Sequence, residues 1–257
     1  MQEIYLPIFV AAFVAASASL LGSFAVLKRM ALVGDALSHV ALPGMALAII
    51  FKFNPFAGAV IFLIVTVTGI WFIEYKSTLS LETIVGVFFT ASLALGALIM
   101  PEHDLLEALF GNITSLTPVE SFTSIILSVA LISVILAIHK KLTLNMVSQE
   151  MAQSIGIKNK RLEFIFLMSF ALAVALGIRF VGALLMGSLV IIPAASAKNV
   201  ARSLKSFMAL SALFGVAAAV IGIIVAHIKG LSPGPVFIII STIFFLITLV
   251  AGRLKRV

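Results

Sequence analysis

The sequence predicts an all-α, polytopic membrane protein built as a single domain over residues 1–257, and three observations lead there. First, 62% of the 257 residues are apolar and only 11% charged, with a mean hydropathy of +1.27. Soluble domains run near 45–50% apolar and about 25% charged, so a water-soluble enzyme of this composition is excluded. Second, the apolar residues fall in runs long enough to cross a bilayer, separated by turn signals. Third, the basic residues gather in alternate loops.

The runs follow in order. The first, 5–27, comes after Met1-Gln2-Glu3, which has no basic n-region, so it is expected to remain as a helix rather than be cleaved as a signal peptide. Lys28 and Arg29 close it and 30–51 follows; Asn54-Pro55 then opens 55–73. A fourth run covers 84–100. Beyond the acidic stretch Glu102-His103-Asp104…Glu107, the turn Thr117-Pro118 leads into 121–138. Runs 162–178 and 180–197 are divided by a weak break near Gly177–Phe180, so nine spans are expected, or eight without that break. The last two, 206–228 and 234–252, flank Ser232-Pro233-Gly234-Pro235. At roughly 20 residues per crossing, each run can cover about 30 Å of hydrocarbon.

Loop charge orients the chain. Placing alternate loops together puts 14 basic residues on one side, Lys28 and Arg29 through Arg253, Lys255 and Arg256, against Lys52, Arg179 and Lys229 on the other. Basic loops stay in the cytoplasm. The expectation is therefore an N-terminus outside and a C-terminus inside, in the cell (inner) membrane of a bacterium or archaeon. The net charge of +7 belongs to those loops rather than to nucleic-acid binding. With no cysteine, disulfides, thiolate metal sites and cysteine nucleophiles are excluded.

Within the cytoplasmic stretch 140–161, Ser148-Gln149-Glu150-Met151-Ala152-Gln153-Ser154-Ile155-Gly156 reads as a short helix capped by Ser148 and ended by Gly156. It is either an ordinary amphipathic loop helix or a docking helix for a cytoplasmic partner.

The chemistry concentrates in Gly34-Asp35-Ala36-Leu37-Ser38-His39. Ionisable residues inside a span are costly and mark function. Asp35 and His39, four apart, share one helix face. A rise of about 1.5 Å per residue from Lys28 places them roughly 10–15 Å into the membrane. Gly34 and Ser38 are small enough to admit another helix at that level. Asp35 and His39 either hydrogen-bond each other or nearby backbone, or form a transient site for zinc, manganese or ferrous iron. Two ligands are too few for zinc, which usually takes four. Pairing of two chains across an axis would double the set; a second ligand helix elsewhere in the chain is the alternative.

The other histidines read as interfacial (His139 at a helix end, His227 near Lys229) or as part of a solvated acidic loop (His103). Arg179 is expected to snorkel at the outer interface, and Pro193 to kink or interrupt its helix. There is no Gly-x-x-x-x-Gly-Lys-Ser/Thr, so the chain has no P-loop and cannot hydrolyse ATP alone. No catalytic triad or dinucleotide fingerprint occurs either, and no enzymatic activity is expected.

The stretch from Ser23 to Gly44, with Leu27-Lys28-Arg29-Met30 leading into Gly34–His39 and Leu42-Pro43-Gly44, resembles the permease subunits of bacterial zinc/manganese/iron ABC importers. Similar segments run in order along the chain: Asn54-Pro55-Phe56, Leu109-Phe110-Gly111-Asn112 with Thr117-Pro118, Val181–Leu185, Ile191–Ala195 with Ala197, and Pro233-Gly234-Pro235. The resemblance implies a homodimer joined to two cytoplasmic P-loop ATPase subunits and fed by an extracellular or periplasmic metal-binding protein. It implies Asp35 and His39 as intramembrane ligands of a transported zinc or manganese ion, with no permanently bound cofactor. It also implies Gln149, Glu150, Ala152 and Gly156 as the ATPase-coupling segment. A proton-coupled secondary metal transporter using the same Asp/His pair is the alternative.

Overall fold

The computed structural model describes residues 2–100, 108–109 and 117–254, with side chains from Tyr5 to Arg253. Ten helices account for nearly all of them: α1 Gln2–Leu27, α2 Ala31–Ile50, α3 Pro55–Lys76, α4 Leu81–Ile99, α5 Pro118–Val147, α6 Gln149–Ser154, α7 Asn159–Val181, α8 Met186–Val200, α9 Leu204–Lys229 and α10 Pro233–Leu254. Eight are long and apolar enough to cross a membrane; α6 and α8 are the exceptions. The all-α polytopic class is as expected.

Local chemistry sets the ends. Asn54 accepts from the Phe56 and Ala57 amides while Pro55 takes the first helical position. Thr117 and Glu120 cap α5 reciprocally, and Gly230 closes α9 in the left-handed region. The α1–α2 and α2–α3 turns place Arg29 and Lys52 at positive φ (60° and 57°). In each, the next residue's amide reaches back five positions, Met30 to Ala25 O and Phe53 to Ala48 O, closing a Schellman motif without glycine.

Helices α1, α2 and α7 are mostly buried, while α3, α4, α5 and α10 turn large side chains such as Ile61, Val87, Phe122 and Ile239 outward. That is the distribution a bilayer solvent selects. Small residues set the spacing inside: α2 and α3 meet at Gly44 and Gly58, where an added Cβ on either would strike the other's backbone.

Ion pairs mark the two ends of the bundle. At one end Lys28, after α1, pairs with Glu163 in the first turns of α7. At the other, Arg179 pairs with Glu120 at 2.6 Å and lies 4.4 Å from the Phe56 ring centroid. Arg179 is thus a clamp joining α3, α5 and α7 rather than a snorkelling side chain.

The seventh run departs from expectation. Helix α7 continues unbroken past Gly177 and Phe180 to Val181, and the break falls at Gly182, where φ is +82°. Residues 182–185 are irregular, and two of their amides find distant partners: Ala183 N–H donates to Ala108 O and Leu184 N–H to Leu109 O. The 15-residue α8 then runs through Pro193 without interruption. Gly234 of α10 lies against Val181, and Gly252 against Asn199. The segment 181–199 therefore runs alongside nearly the whole length of α10, despite the shortness of α8. Helix α5 also outruns its apolar stretch by nine residues, to Val147, so His139 sits within a helix rather than at its end. The segments holding His103 and Phe110-Gly111-Asn112 lie outside the described residues.

Candidate functional site

Helix α2 carries the pair. Its first turns pack on α7 and α8: Gly34 faces Phe170 and Val190, as its lack of a side chain allows. One turn on, the Ser38 hydroxyl lies 2.6 Å from both Asp35 O and Ala183 O, tying α2 to the irregular connection. Non-helical backbone at membrane depth is tolerated where protein encloses it and supplies its hydrogen bonds. Both conditions hold at Gly182 and Ala183, which are buried and donate to Ile178 O and Ala108 O.

Asp35 is half-buried and stands against Gly187, in the first turn of α8. A Cβ at 187 would lie 2.7 Å from the Asp35 Cβ and 3.0 Å from its Oδ1. His39 is buried, with Phe89 of α4 edge-on at 5.4 Å between ring centroids. Its Nδ1 is inaccessible and, among the described residues, has no hydrogen-bond partner. An imidazole nitrogen left unpaired in a dry interior is costly. The ring is therefore not explained by a bond from that nitrogen to Asp35 or to backbone.

Among the described residues, no group of three or more His, Cys, Asp or Glu side chains could hold a metal ion. His139 and His227 lie on α5 and in the last turn of α9, outside any such group. The described residues thus offer one carboxylate and one imidazole here, and a fuller set needs donors from outside those residues.

The short helix after α5 forms as the capping residues dictate. Ser148 Oγ accepts from the Met151 amide and α6 spans Gln149–Ser154. At its end Gly156 takes φ +82°, its amide donates to Gln153 O, and Ile157 N–H donates to Ala152 O, a Schellman closure. Gln149, Glu150 and Gly156 are exposed, with Met151 and Ile155 beside them at 56% and 65% exposure. Ala152 is fully buried and belongs to the face that seats α6 on the bundle.

Gly187, Phe89 and the Ala183 carbonyl were not legible as site residues. Gly187 is one of 17 glycines with no local signal, and its role comes only from lying opposite Asp35.

The sequence model of the ABC 3 transport family matches residues 1–252. The manganese transport system membrane protein MntC of Listeria monocytogenes is 31% identical over 231 residues, 88% of this chain and 82% of its own length. The high-affinity zinc uptake system membrane protein ZnuB of Haemophilus influenzae is 31% identical over 234 residues, 89% of this chain and 90% of its own. Among solved structures, PsaBC from Streptococcus pneumoniae in complex with Fab superposes with a TM-score of 0.85 at 28% identity, covering 96% of this chain and 91% of that one. With its fold and nearly its whole length matched, this multi-pass membrane protein belongs to the ABC 3 transport family.

Proposed function

We propose that the chain is the permease subunit of an ATP-driven importer of divalent transition metals, with manganese or zinc as the main cargo and iron within range. The observation that carries this reading is the buried, unpartnered Nδ1 of His39, one helical turn from Asp35, in a chain whose relatives are named for manganese and zinc transport. Ionised carboxylate with neutral imidazole suits these ions, and a passing cation offsets the burial cost of Asp35. Two copies pair so that both Asp35 and both His39 face a shared pathway, which supplies donors beyond those that the described residues of one chain bring together.

ATP hydrolysis belongs to separate cytoplasmic subunits, since the sequence has no P-loop. They dock on α6 through Gln149, Glu150 and the exposed apolar pair Met151 and Ile155, while Ala152 and Gly156 hold the helix in shape. The Lys28 end of the bundle, which gathers the basic loops, faces the cytoplasm of a bacterial or archaeal cell. The Arg179 end receives metal from an extracellular or periplasmic binding protein. Counting the passage through α8 as a ninth crossing puts the termini on opposite sides, in agreement with the charge asymmetry.

The test is metal uptake into proteoliposomes holding this chain, with and without its ATPase and ATP, manganese competing against zinc. Uptake is expected only with both, and Asp35→Asn or His39→Ala should abolish it while complex assembly survives. Wild-type uptake by either variant would sink the site assignment; uptake driven by a proton gradient without ATPase would sink the ATP-driven reading.

A further inference from the structure

Beside α6, at the Lys28 end of the bundle, the ends of α3, α5 and α7 border an open cavity of about 260 Å³ that the transport reading does not use. Glu74 and Glu163 both line it. Glu163 Oε1 is taken by Lys28, whose Nζ also stands 4.8 Å from the Phe166 ring centroid. Glu74 lies in the field of both groups but has no salt bridge of its own among the described residues, whose ion pairs are Lys28–Glu163 and Arg179–Glu120. Lys160, the cation on the cavity wall, holds its Nζ 3.5 Å from the ring centroid of Tyr75, which also lines the cavity, rather than in a salt bridge with either glutamate.

The amides complete the picture. Asn145 forms part of the wall, is only 7% exposed, and its Oδ1 has no hydrogen-bond partner among the described residues. Asn159 also lines the cavity; its Nδ2 donates to Gln149 O at 3.4 Å, while its Oδ1 is buried and likewise unpartnered. Buried carbonyl oxygens are normally satisfied. Two orphan oxygens thus stand beside two carboxylates, with Lys160 and Gln149 as donors on the same wall.

We propose that this cavity is a second divalent-cation site, separate from Asp35 and His39, in which Glu74, Glu163, Asn145 and Asn159 offer an all-oxygen set. Carboxylate and amide oxygens with water suit hard ions, manganese or magnesium, whereas the imidazole at His39 also suits zinc. The cation takes the place of a missing donor at Asn145 and Asn159 and balances Glu74. Gln149 opens α6 and Asn159 opens α7, so occupancy braces both ends of the loop that carries α6. The binding itself does not rest on the proposed transport function; only its consequence for α6 does.

Trp71 supplies the probe. It is the single tryptophan of the chain and lines the cavity, its Nε1 donating to Lys160 O at 3.1 Å. Paramagnetic Mn²⁺ bound there quenches its fluorescence. Manganese chloride is titrated into the chelator-treated full chain in detergent micelles, with variants checked for monodispersity. Saturable quenching is expected in the wild type. Loss of a ligand in Glu74→Gln or Asn145→Ala should raise the half-saturation concentration at least about tenfold, and Asp35→Asn should leave it unchanged. If Glu74→Gln does not yield monodisperse protein, Asn145→Ala carries the same comparison. Non-saturable quenching in the wild type overturns the proposal, as does quenching that survives both cavity variants or disappears in Asp35→Asn.

Discussion

Replacing Gly187 with alanine tests whether the position of Asp35, and not merely its presence, governs transport. Ordinary carbon–carbon contact lies near 3.5–4.0 Å, and the new methyl would stand 2.7 Å from the Asp35 Cβ, 3.0 Å from Oδ1 and 3.2 Å from Cα. The contact includes backbone, so a rotamer change cannot relieve it; α2 and α8 must separate by about 1 Å at this level. Overpacking of this kind costs about 1–3 kcal/mol, which most folded chains survive. A displacement of about 1 Å at a reacting or coordinating group can cost on the order of 10²-fold in rate. Manganese and zinc uptake by Gly187→Ala is measured in proteoliposomes with the ATPase, alongside thermal stability in detergent. Gly96→Ala is the control: its methyl would meet Leu42 Cβ at 3.1 Å, on the same α2 but with no contact to Asp35. The expected result is a large loss of uptake, and altered competition between the two metals, in Gly187→Ala alone. Full uptake by that variant, or equal losses in both, would refute the positioning argument.

Two further outcomes follow from the caps. Ser148→Ala removes the acceptor for the Met151 amide, a change worth about 1 kcal/mol; metal-stimulated ATPase activity of the complex should fall while membrane insertion is unaffected, and an unchanged activity would separate α6 from coupling. Lys52→Gly relieves a left-handed residue at φ 57°. That strain is about 1–2 kcal/mol, partly offset by glycine's greater freedom when unfolded, so the melting temperature should rise by roughly 1–3 °C; a fall would show that the Lys52 side chain stabilises the turn.

The membrane class, the order of the long helices, the shared face of Asp35 and His39, and both ends of α6 follow from the sequence alone. Each depends on neighbours within one or two turns: apolar runs, a four-residue spacing, and Ser148 and Gly156 acting on adjacent backbone. Other features depend on contacts between distant residues, which local patterns do not record. The break after α7 falls at Gly182 because Ala108 and Leu109 carbonyls accept the amides that follow it. Helix α5 continues over polar residues to Val147, with Leu142 and Asn145 buried by the bundle around them. Glu120 finds Arg179 across 59 positions. Gly187 matters because packing sets α8 against α2, and the cavity lined by Glu74, Asn145 and Glu163 exists only where the ends of α3, α5 and α7 meet. Helix formation is a local free-energy balance, but which helix faces meet, and what chemistry they bring together, is decided by close packing of the whole bundle.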